Sequence, residues 1–532
     1  MTLSRATRST RTPTAAGLAV LCVLAMASGP LVHAGAVRPA ASGALDPSFG
    51  TGGKVVTNVS SSSDGIQGLA VTPEGKLLAV GYTGNRFLVV RYGVNGKPDT
   101  TFGGGDGIVR TPFDNPAGAK QLAVLGNGGF LVAGRTAGDT TGTDFALARY
   151  HANGALDTSF GGGDGKVTTD FKGGSDQVFG MAVQRSGKII VGGDATLTSG
   201  HSAFAAARYL PGGTLDTTFG GGDGWATKDL GSAGFAEAVA IDPQDRVVVA
   251  GQTTVVDSDF ALVRFKRDGG LDHSFGGDGV VTSDFGTSSD IADALAVRSD
   301  GGVLAAGAAF PTGDDQEFAL ALYRPDGTPA TSFGGGDGKV TTDIGPDFDR
   351  AFGVAVQPDG RIVAAGRNDP ASGSNQHVAV IRYSPGGVPD SSFSGDGIAT
   401  TNFTPGSDQA VAVVVQPNGR VVAAGNAKKD AALAGYLGKS GPSCTWFGTG
   451  GADTVTGTGG PDVLCGRGGT DTLRGNAGRD TVLGGAGADD LFGGKSRDTL
   501  LGGKGNDDLD GGPGHDRCVQ GGGTGTRTSC EA

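Results

Sequence analysis

The stretch DFALARYHANGALDTSFGGGDGKVTTD, residues 144–170, holds most of one structural repeat. It opens on an apolar run closed by Arg149 and Tyr150, crosses a polar turn and reaches LDTSFG at 156–161. A glycine-rich GGGDG turn then leads into Lys166–Asp170. Outward from this stretch the anchor string recurs as LDPSFG, PDTTFG, LDTTFG, LDHSFG, PATSFG and PDSSFS. Its phenylalanines are Phe49, Phe102, Phe160, Phe219, Phe275, Phe333 and Phe393, spaced 53 to 60 residues apart. A period of this length over residues 45–437 marks a repeat architecture of seven units.

Each unit carries four short segments of strand character. One follows the anchor, as in GKVTTDF ending at Phe171, and one alternates small apolar residues, as in AFGVAVQ at 351–357. An apolar run such as RIVAAG at 361–366 comes next, and the DFALARY segment closes the unit. Turn residues punctuate every join, which fits antiparallel hairpins. Four strands per unit predict a β-propeller. The phase predicts closure. The repeat region begins with a post-anchor strand, Gly53 to Val59, and ends after Asp430 to Leu437 without one. The N-terminal strand therefore completes the seventh blade and removes the open edges of the competing arrangement, a linear solenoid of hairpins.

An arginine precedes the anchor aspartate by eight residues in five units: Arg91 and Asp99, Arg149 and Asp157, Arg208 and Asp216, Arg264 and Asp272, Arg382 and Asp390. Where Leu322 takes the arginine's place, Ala330 replaces the aspartate. Joint loss indicates pairing, because removing one partner of a buried pair is costly while replacing both with apolar residues can be neutral. The GGGDG strings at 103–107, 161–165, 220–224 and 334–338 lack the Lys-Ser/Thr of a phosphate loop; their aspartates and carbonyls are also of the kind that carries calcium, but the turn reading is the stronger one.

From Gly448 the chain falls into a nine-residue register: GTGGADTVT, GTGGPDVLC, GRGGTDTLR, GNAGRDTVL, GGAGADDLF, GGKSRDTLL, GGKGNDDLD and GGPGHDRCV, ending at 519. The sixth position is always aspartate: Asp453, Asp462, Asp471, Asp480, Asp489, Asp498, Asp507 and Asp516. The eighth is apolar in seven units and is Cys518 in the last. Six residues make a turn whose dihedrals glycine permits, and three make a strand with its central side chain inward. Two units complete one coil, so alternate turns stack. Carboxylates and carbonyls of two stacked turns then surround one calcium ion, a hard cation satisfied by oxygens. Stacking pairs Asp453, Asp471, Asp489 and Asp507 in sequence on one side and Asp462, Asp480, Asp498 and Asp516 on the other, which predicts six inter-turn sites. Ser496, in place of a turn glycine, makes its site the least secure. Without metal the like charges repel and the roll does not hold together.

Two resemblances follow from these residues. The LDxSFG anchors, the VQPDG and VQPNG turns at 356–360 and 415–419 and the DFALARY strands resemble the delta-60 repeats of bacterial extracellular proteins. That family implies an architecture and no defined catalytic activity. The tail resembles the repeats-in-toxin (RTX), or hemolysin-type, calcium-binding repeat, which implies a calcium-binding β-roll.

The remaining features bound the function. The chain has 532 residues, 102 of them glycine, and a formal charge of −12, which does not favour nucleic acid. Arg5, Arg8 and Arg11 precede the apolar run Leu18 to Met26, and Val32-His33-Ala34 resembles a cleavage site, so the mature chain is expected to start near Gly35. Cys22 follows Leu21, which does not suit a lipoprotein anchor, and no later segment is apolar enough to cross a membrane. Cys444, Cys465, Cys518 and Cys530 allow three connectivities, of which locality favours 444–465 and 518–530. No HExxH or GxSxG motif is present, and His151, His201, His273, His377 and His515 are scattered.

The sequence thus predicts an all-β chain: a signal peptide over 1–34, a linker over 35–44, a seven-bladed propeller over 45–437, a linker over 438–447, a parallel calcium-binding β-roll over 448–519 and a disulfide-capped tail over 520–532. The expected protein is extracellular, binds calcium through the eight aspartates and is not an enzyme. Its propeller is a binding or structural platform for an extracellular polysaccharide or cell-surface protein, with the variable joins Thr196 to Ser202 and Asp369 to Gln376 setting specificity. The alternative is a secreted enzyme of the polysaccharide lyase or hydrolase type with an active site on the propeller's axial face.

Overall fold

The computed structural model describes residues 42–531 apart from 62, 139–141, 171–174, 198–199, 232–233, 255–257, 287, 312–314, 371–374, 439–445 and 449–450. The expected signal peptide, most of the first linker, Phe171, Cys444 and parts of both variable joins lie outside the described residues. Every regular element among the described residues is a strand.

Seven four-stranded antiparallel sheets form the blades of a propeller. In the first blade the order is Asp64–Val71, Leu77–Thr83, Arg86–Tyr92 and Ile108–Thr111, so the post-anchor strand lies outermost. The seventh blade closes the ring as the phase of the repeats requires. Lys54–Thr57 pairs antiparallel with Asp430–Tyr436, with Lys54 opposite Ala434 and Thr57 opposite Ala431. This strand is shorter than the expected 53–59, because the amides of Val59 and Ser60 turn away to donate to the Asp64 carboxylate.

Contacts between blades explain the repeating residues. The seven anchor phenylalanines are fully buried. The turn glycine of the following unit covers six of these rings, from Phe49 to Phe333. At Gly154, with φ +90°, a β-carbon would come within 2.7 Å of Phe102. Hydroxyls staple neighbouring blades: Thr57 to Tyr92 at 2.8 Å, Thr111 to Tyr150 at 2.7 Å and Thr401 to Tyr436 at 2.8 Å.

All five expected Arg–Asp pairs form, at 2.7 to 2.9 Å. Each guanidinium also lies over its anchor ring, 4.4 to 4.9 Å from the centroid. Arg149 and Arg264 donate across to the next unit, to the carbonyls of Pro211 and Pro325 at 2.5 Å. Leu322 and Ala330 are both buried, 5% and 7% exposed, in the same apolar cluster. The pairs are structural clasps. A second cation, from the residue just before the blade's second strand, joins four of them: Lys76 on Asp99, Lys188 on Asp216, Arg246 on Asp272 and Arg361 on Asp390. On the first anchor aspartate this cation acts alone among the described residues, as Arg420 meets Asp46 at 2.6 Å. The GGGDG strings are turns: Asp106, Asp164 and Asp337 each accept the amide two residues on, at 2.8 to 3.0 Å.

The C-terminal region is a roll of two five-stranded parallel sheets. Leu464 pairs with Val482, Val482 with Leu500, and Leu500 with Cys518, a coil of two nine-residue units per step. The inward column Leu464, Leu473, Val482, Leu491, Leu500, Leu509 and Cys518 is its apolar core. Strands such as Val463–Gly468 take six residues rather than the expected three, because the first three residues of each unit also pair with the coil above. Pairing also reaches past the eight units, from Trp446 at one end to Thr528 at the other. Cys518 and Cys530 form the expected disulfide, Cα to Cα 5.7 Å. Cys465 is disulfide-bonded.

Candidate metal centres

The turns of the roll stack on its two sides, and the eight aspartates sit inside them. Asp471, Asp480, Asp489, Asp498, Asp507 and Asp516 are at most 1% exposed. Asp462 is also buried, and Asp453, in the first turn, is half-buried. Each stacked pair is joined the same way: the backbone N–H of one aspartate donates to Oδ1 of the aspartate 18 residues on. The six bonds run from Asp453 to Asp471, Asp462 to Asp480, Asp471 to Asp489, Asp480 to Asp498, Asp489 to Asp507 and Asp498 to Asp516, at 2.7 to 3.1 Å.

The other carboxylate oxygen is the informative one. Oδ2 of Asp471, Asp480, Asp489, Asp498, Asp507 and Asp516 is buried with no hydrogen-bond partner. An orphaned buried carboxylate oxygen is costly unless a cation or proton meets it. Each Oδ2 faces a small space kept open by the first glycine of its unit. A β-carbon on Gly466 would stand 2.3 Å from Asp471 Oδ2 and 2.6 Å from the Gly484 carbonyl oxygen of the next coil. At Gly475 both distances, to Asp480 Oδ2 and the Gly493 carbonyl, are 2.4 Å, and at Gly484 both, to Asp489 Oδ2 and the Gly502 carbonyl, are 2.6 Å. These are oxygen-lined cradles of the size a calcium ion fills, with ligand distances of about 2.3–2.6 Å. The electrostatics agree. Burial, then the carboxylates of Asp480 and Asp516, push Asp498 up to about 6, and burial likewise raises Asp471, Asp480 and Asp489. The residues present therefore fit calcium, which would supply positive charge between the turns and take these carboxylate and carbonyl oxygens as its ligands.

Ser496 keeps the turn conformation of the glycine it replaces, with φ +93°. Both ends of the stack are finished by residues outside the repeat register. Trp446 Nε1 donates to Asp462 Oδ1 at 3.2 Å, where an aspartate amide of an earlier coil would donate. Glu531 accepts the Asp516 amide as a further aspartate would. The carbonyls of Gln520 and Ser529 stand where repeat carbonyls would, beside Asp507 and Asp516. Sequence reading missed these caps because they break the nine-residue spacing. The signal for the second was Cys530, whose disulfide pins the segment carrying Ser529 and Glu531.

The fold and the cradles define a β-propeller protein with a calcium-binding nonapeptide roll. Comparison with family models agrees. Residues 72–102, 130–160, 184–219, 244–275 and 357–393 match the β-propeller domain of unknown function DUF5122. Residues 447–482 and 483–518 match the RTX calcium-binding nonapeptide repeat. The chain thus carries delta-60-like propeller repeats followed by hemolysin-type calcium-binding repeats.

No curated protein matches. Among solved structures the propeller resembles virginiamycin B lyase from Staphylococcus aureus, at 10% identity over 72% of this chain and 98% of that one, TM-score 0.43. It also resembles a protein of unknown function from Dyadobacter fermentans, at 13% identity over 62% and 96%, TM-score 0.34. A glucose dehydrogenase matches at 13% identity over 72% and 99%, TM-score 0.31. Two of these are named as enzymes, but likeness at these scores carries no inference about activity.

Proposed function

We propose that this is an extracellular calcium-binding protein whose roll is ordered by calcium held between stacked turns, with Asp453, Asp462, Asp471, Asp480, Asp489, Asp498, Asp507 and Asp516 as ligands. The observation that carries this reading is the row of six buried, unpartnered Oδ2 atoms, each facing a carbonyl across a space that glycine leaves open. One ion per stacked pair gives six ions. Extracellular calcium modules typically bind at about 10⁻⁴ to 10⁻³ M, so the roll stays unfolded where calcium is scarce and folds outside the cell. The disulfide between Cys518 and Cys530 suits the same compartment. The propeller is a binding or structural platform for a polysaccharide or a surface protein.

Calorimetric titration of the chelator-stripped protein is expected to count about six calcium ions, with magnesium a poor substitute because its small shell demands near-octahedral geometry. Absence of calcium binding would defeat the reading. N-terminal sequencing of protein from the culture medium is expected to start near Gly35, and an intact Met1 would remove the case for a cleaved leader.

A further inference from the structure

The innermost strand of every blade carries a β-bulge at the same place. The extra residues are Gln67, Lys120, Phe179, Glu237, Asp293, Phe352 and Val411. A bulge re-aims a side chain, and all seven of these line one cavity of about 440 Å³ on the propeller axis. That size is in the range of small-molecule sites. Elsewhere the repeats keep the same residue types at equivalent positions, as the anchor phenylalanines show. At the bulge nearly every blade differs, in size, charge and polarity. Packing does not dictate these residues, so another requirement is free to choose them.

The charges in the cavity are incompletely matched. Asp293 is satisfied, because Arg350 grips it with two hydrogen bonds of 2.9 and 2.5 Å. Lys120 and Glu237 are not. Lys120 donates to Gln67 Oε1 at 3.2 Å and lies 5.3 Å from the Phe179 ring centroid, but forms no ion pair among the described residues. Glu237 forms neither an ion pair nor a hydrogen bond among them. Burial, then the Arg135 charge, lowers Lys120, and burial, then the Asp293 carboxylate, pushes Glu237 up to about 7; each feels the other's charge only after these, and the two stand too far apart to join. Two half-desolvated opposite charges facing one cavity favour a molecule that brings an anion to one and a cation to the other.

We propose that the axial cavity binds a small zwitterion of the α-amino acid class, with its carboxylate on Lys120, its ammonium on Glu237 and its apolar side chain against Phe179. The site is built by the propeller alone and does not depend on calcium in the roll.

The test is calorimetry on the full chain in calcium with L-phenylalanine as probe. Phenethylamine and 3-phenylpropionate, each keeping one of its two charges, are the controls. One molecule of L-phenylalanine is expected to bind per chain, with each control at least tenfold weaker. Glu237→Gln and Lys120→Met should each weaken L-phenylalanine at least tenfold. Val411→Trp, which fills the cavity from another blade without touching either charge, should abolish binding, and it keeps the test decisive if a charge variant fails to fold. No binding of L-phenylalanine, a singly charged control that binds equally well, or unchanged binding in a correctly folded variant would each overturn the proposal.

Discussion

Replacing Arg149 should destabilise the propeller by far more than the same change made together with Asp157. Arg149 makes an ion pair with Asp157 at 2.8 Å, hydrogen bonds to the Pro211 carbonyl at 2.5 Å and Ser159 Oγ at 2.7 Å, and a ring contact with Phe160 at 4.9 Å. The pair is 16% and 19% exposed, so it is partly rather than fully desolvated. Breaking a fully buried pair costs about 3–5 kcal/mol, and residual exposure places Arg149→Leu at about 2–4 kcal/mol. Much of that is the carboxylate left behind. The double variant Arg149→Leu with Asp157→Ala copies the unit that holds Leu322 and Ala330, so it should cost only about 1 kcal/mol more than the natural sequence. Asp157 is the right choice because no second lysine or arginine among the described residues pairs with it. Gly129 and Gly302 occupy the second-cation position in these two units. Urea unfolding in calcium, followed by Trp225 fluorescence in a Trp446→Phe background, reports the propeller. Single-variant costs that simply add in the double variant would show that the two residues do not act as a pair.

Removing residues 42–57 should uncover the edge of Asp430–Tyr436, and size-exclusion chromatography should then show association through that edge. A monomer of unchanged thermal stability would refute ring closure. Asp489→Ala should raise the calcium needed for folding more than Asp453→Ala, because Asp489 joins the coils on both sides and Asp453 has no coil before it. Equal shifts in a calcium titration followed by circular dichroism would contradict the stacking. Stability of the propeller should peak near pH 5. Burial raises Asp194 and Asp349 to about 7, so the folded state binds more protons than the unfolded and gains stability as pH falls from 7 towards 4. At Asp99 and Asp216 burial is outweighed by hydrogen bonds from Lys76 and Thr101, or Lys188 and Thr218, with Arg91 or Arg208 adding its charge, which holds them far below the usual range. Their contribution is present above about pH 4 and lost below it. Calorimetric scans showing a steady fall from pH 7 would be inconsistent with the raised pair.

The blades were legible because one buried phenylalanine per unit sets the period, and closure was legible because the repeats are out of phase with the chain ends. The Arg149–Asp157 kind of pair could be read from its joint loss at Leu322 and Ala330. The second cation could not, since Lys76 and Arg361 lie 23 and 29 residues before their aspartates, at the entry to a different strand of the blade. The calcium turns were legible from the fixed aspartate register, whereas the end caps at Trp446 and Glu531 were not, because a cap by its nature leaves the repeat. The inner-strand bulges leave no mark in a single unit. They emerge only when pairing shows Lys120 or Glu237 displaced towards the axis.

Amide hydrogen exchange of the full chain, with calcium and with chelator, tests calcium-dependent order most directly. Calcium at ten times its dissociation constant stabilises by about 1.4 kcal/mol per site, and six sites together supply about 8 kcal/mol, comparable to the whole net stability of a small domain and enough to tip the balance for a glycine-rich roll with one apolar side chain per unit. With calcium, peptides from 454–528 should be protected to the same degree as the blades. In chelator they should exchange freely while the propeller peptides stay protected, most clearly after the disulfides are reduced. Equal protection of 454–528 in calcium and in chelator, with the disulfides reduced, would contradict a calcium-ordered roll.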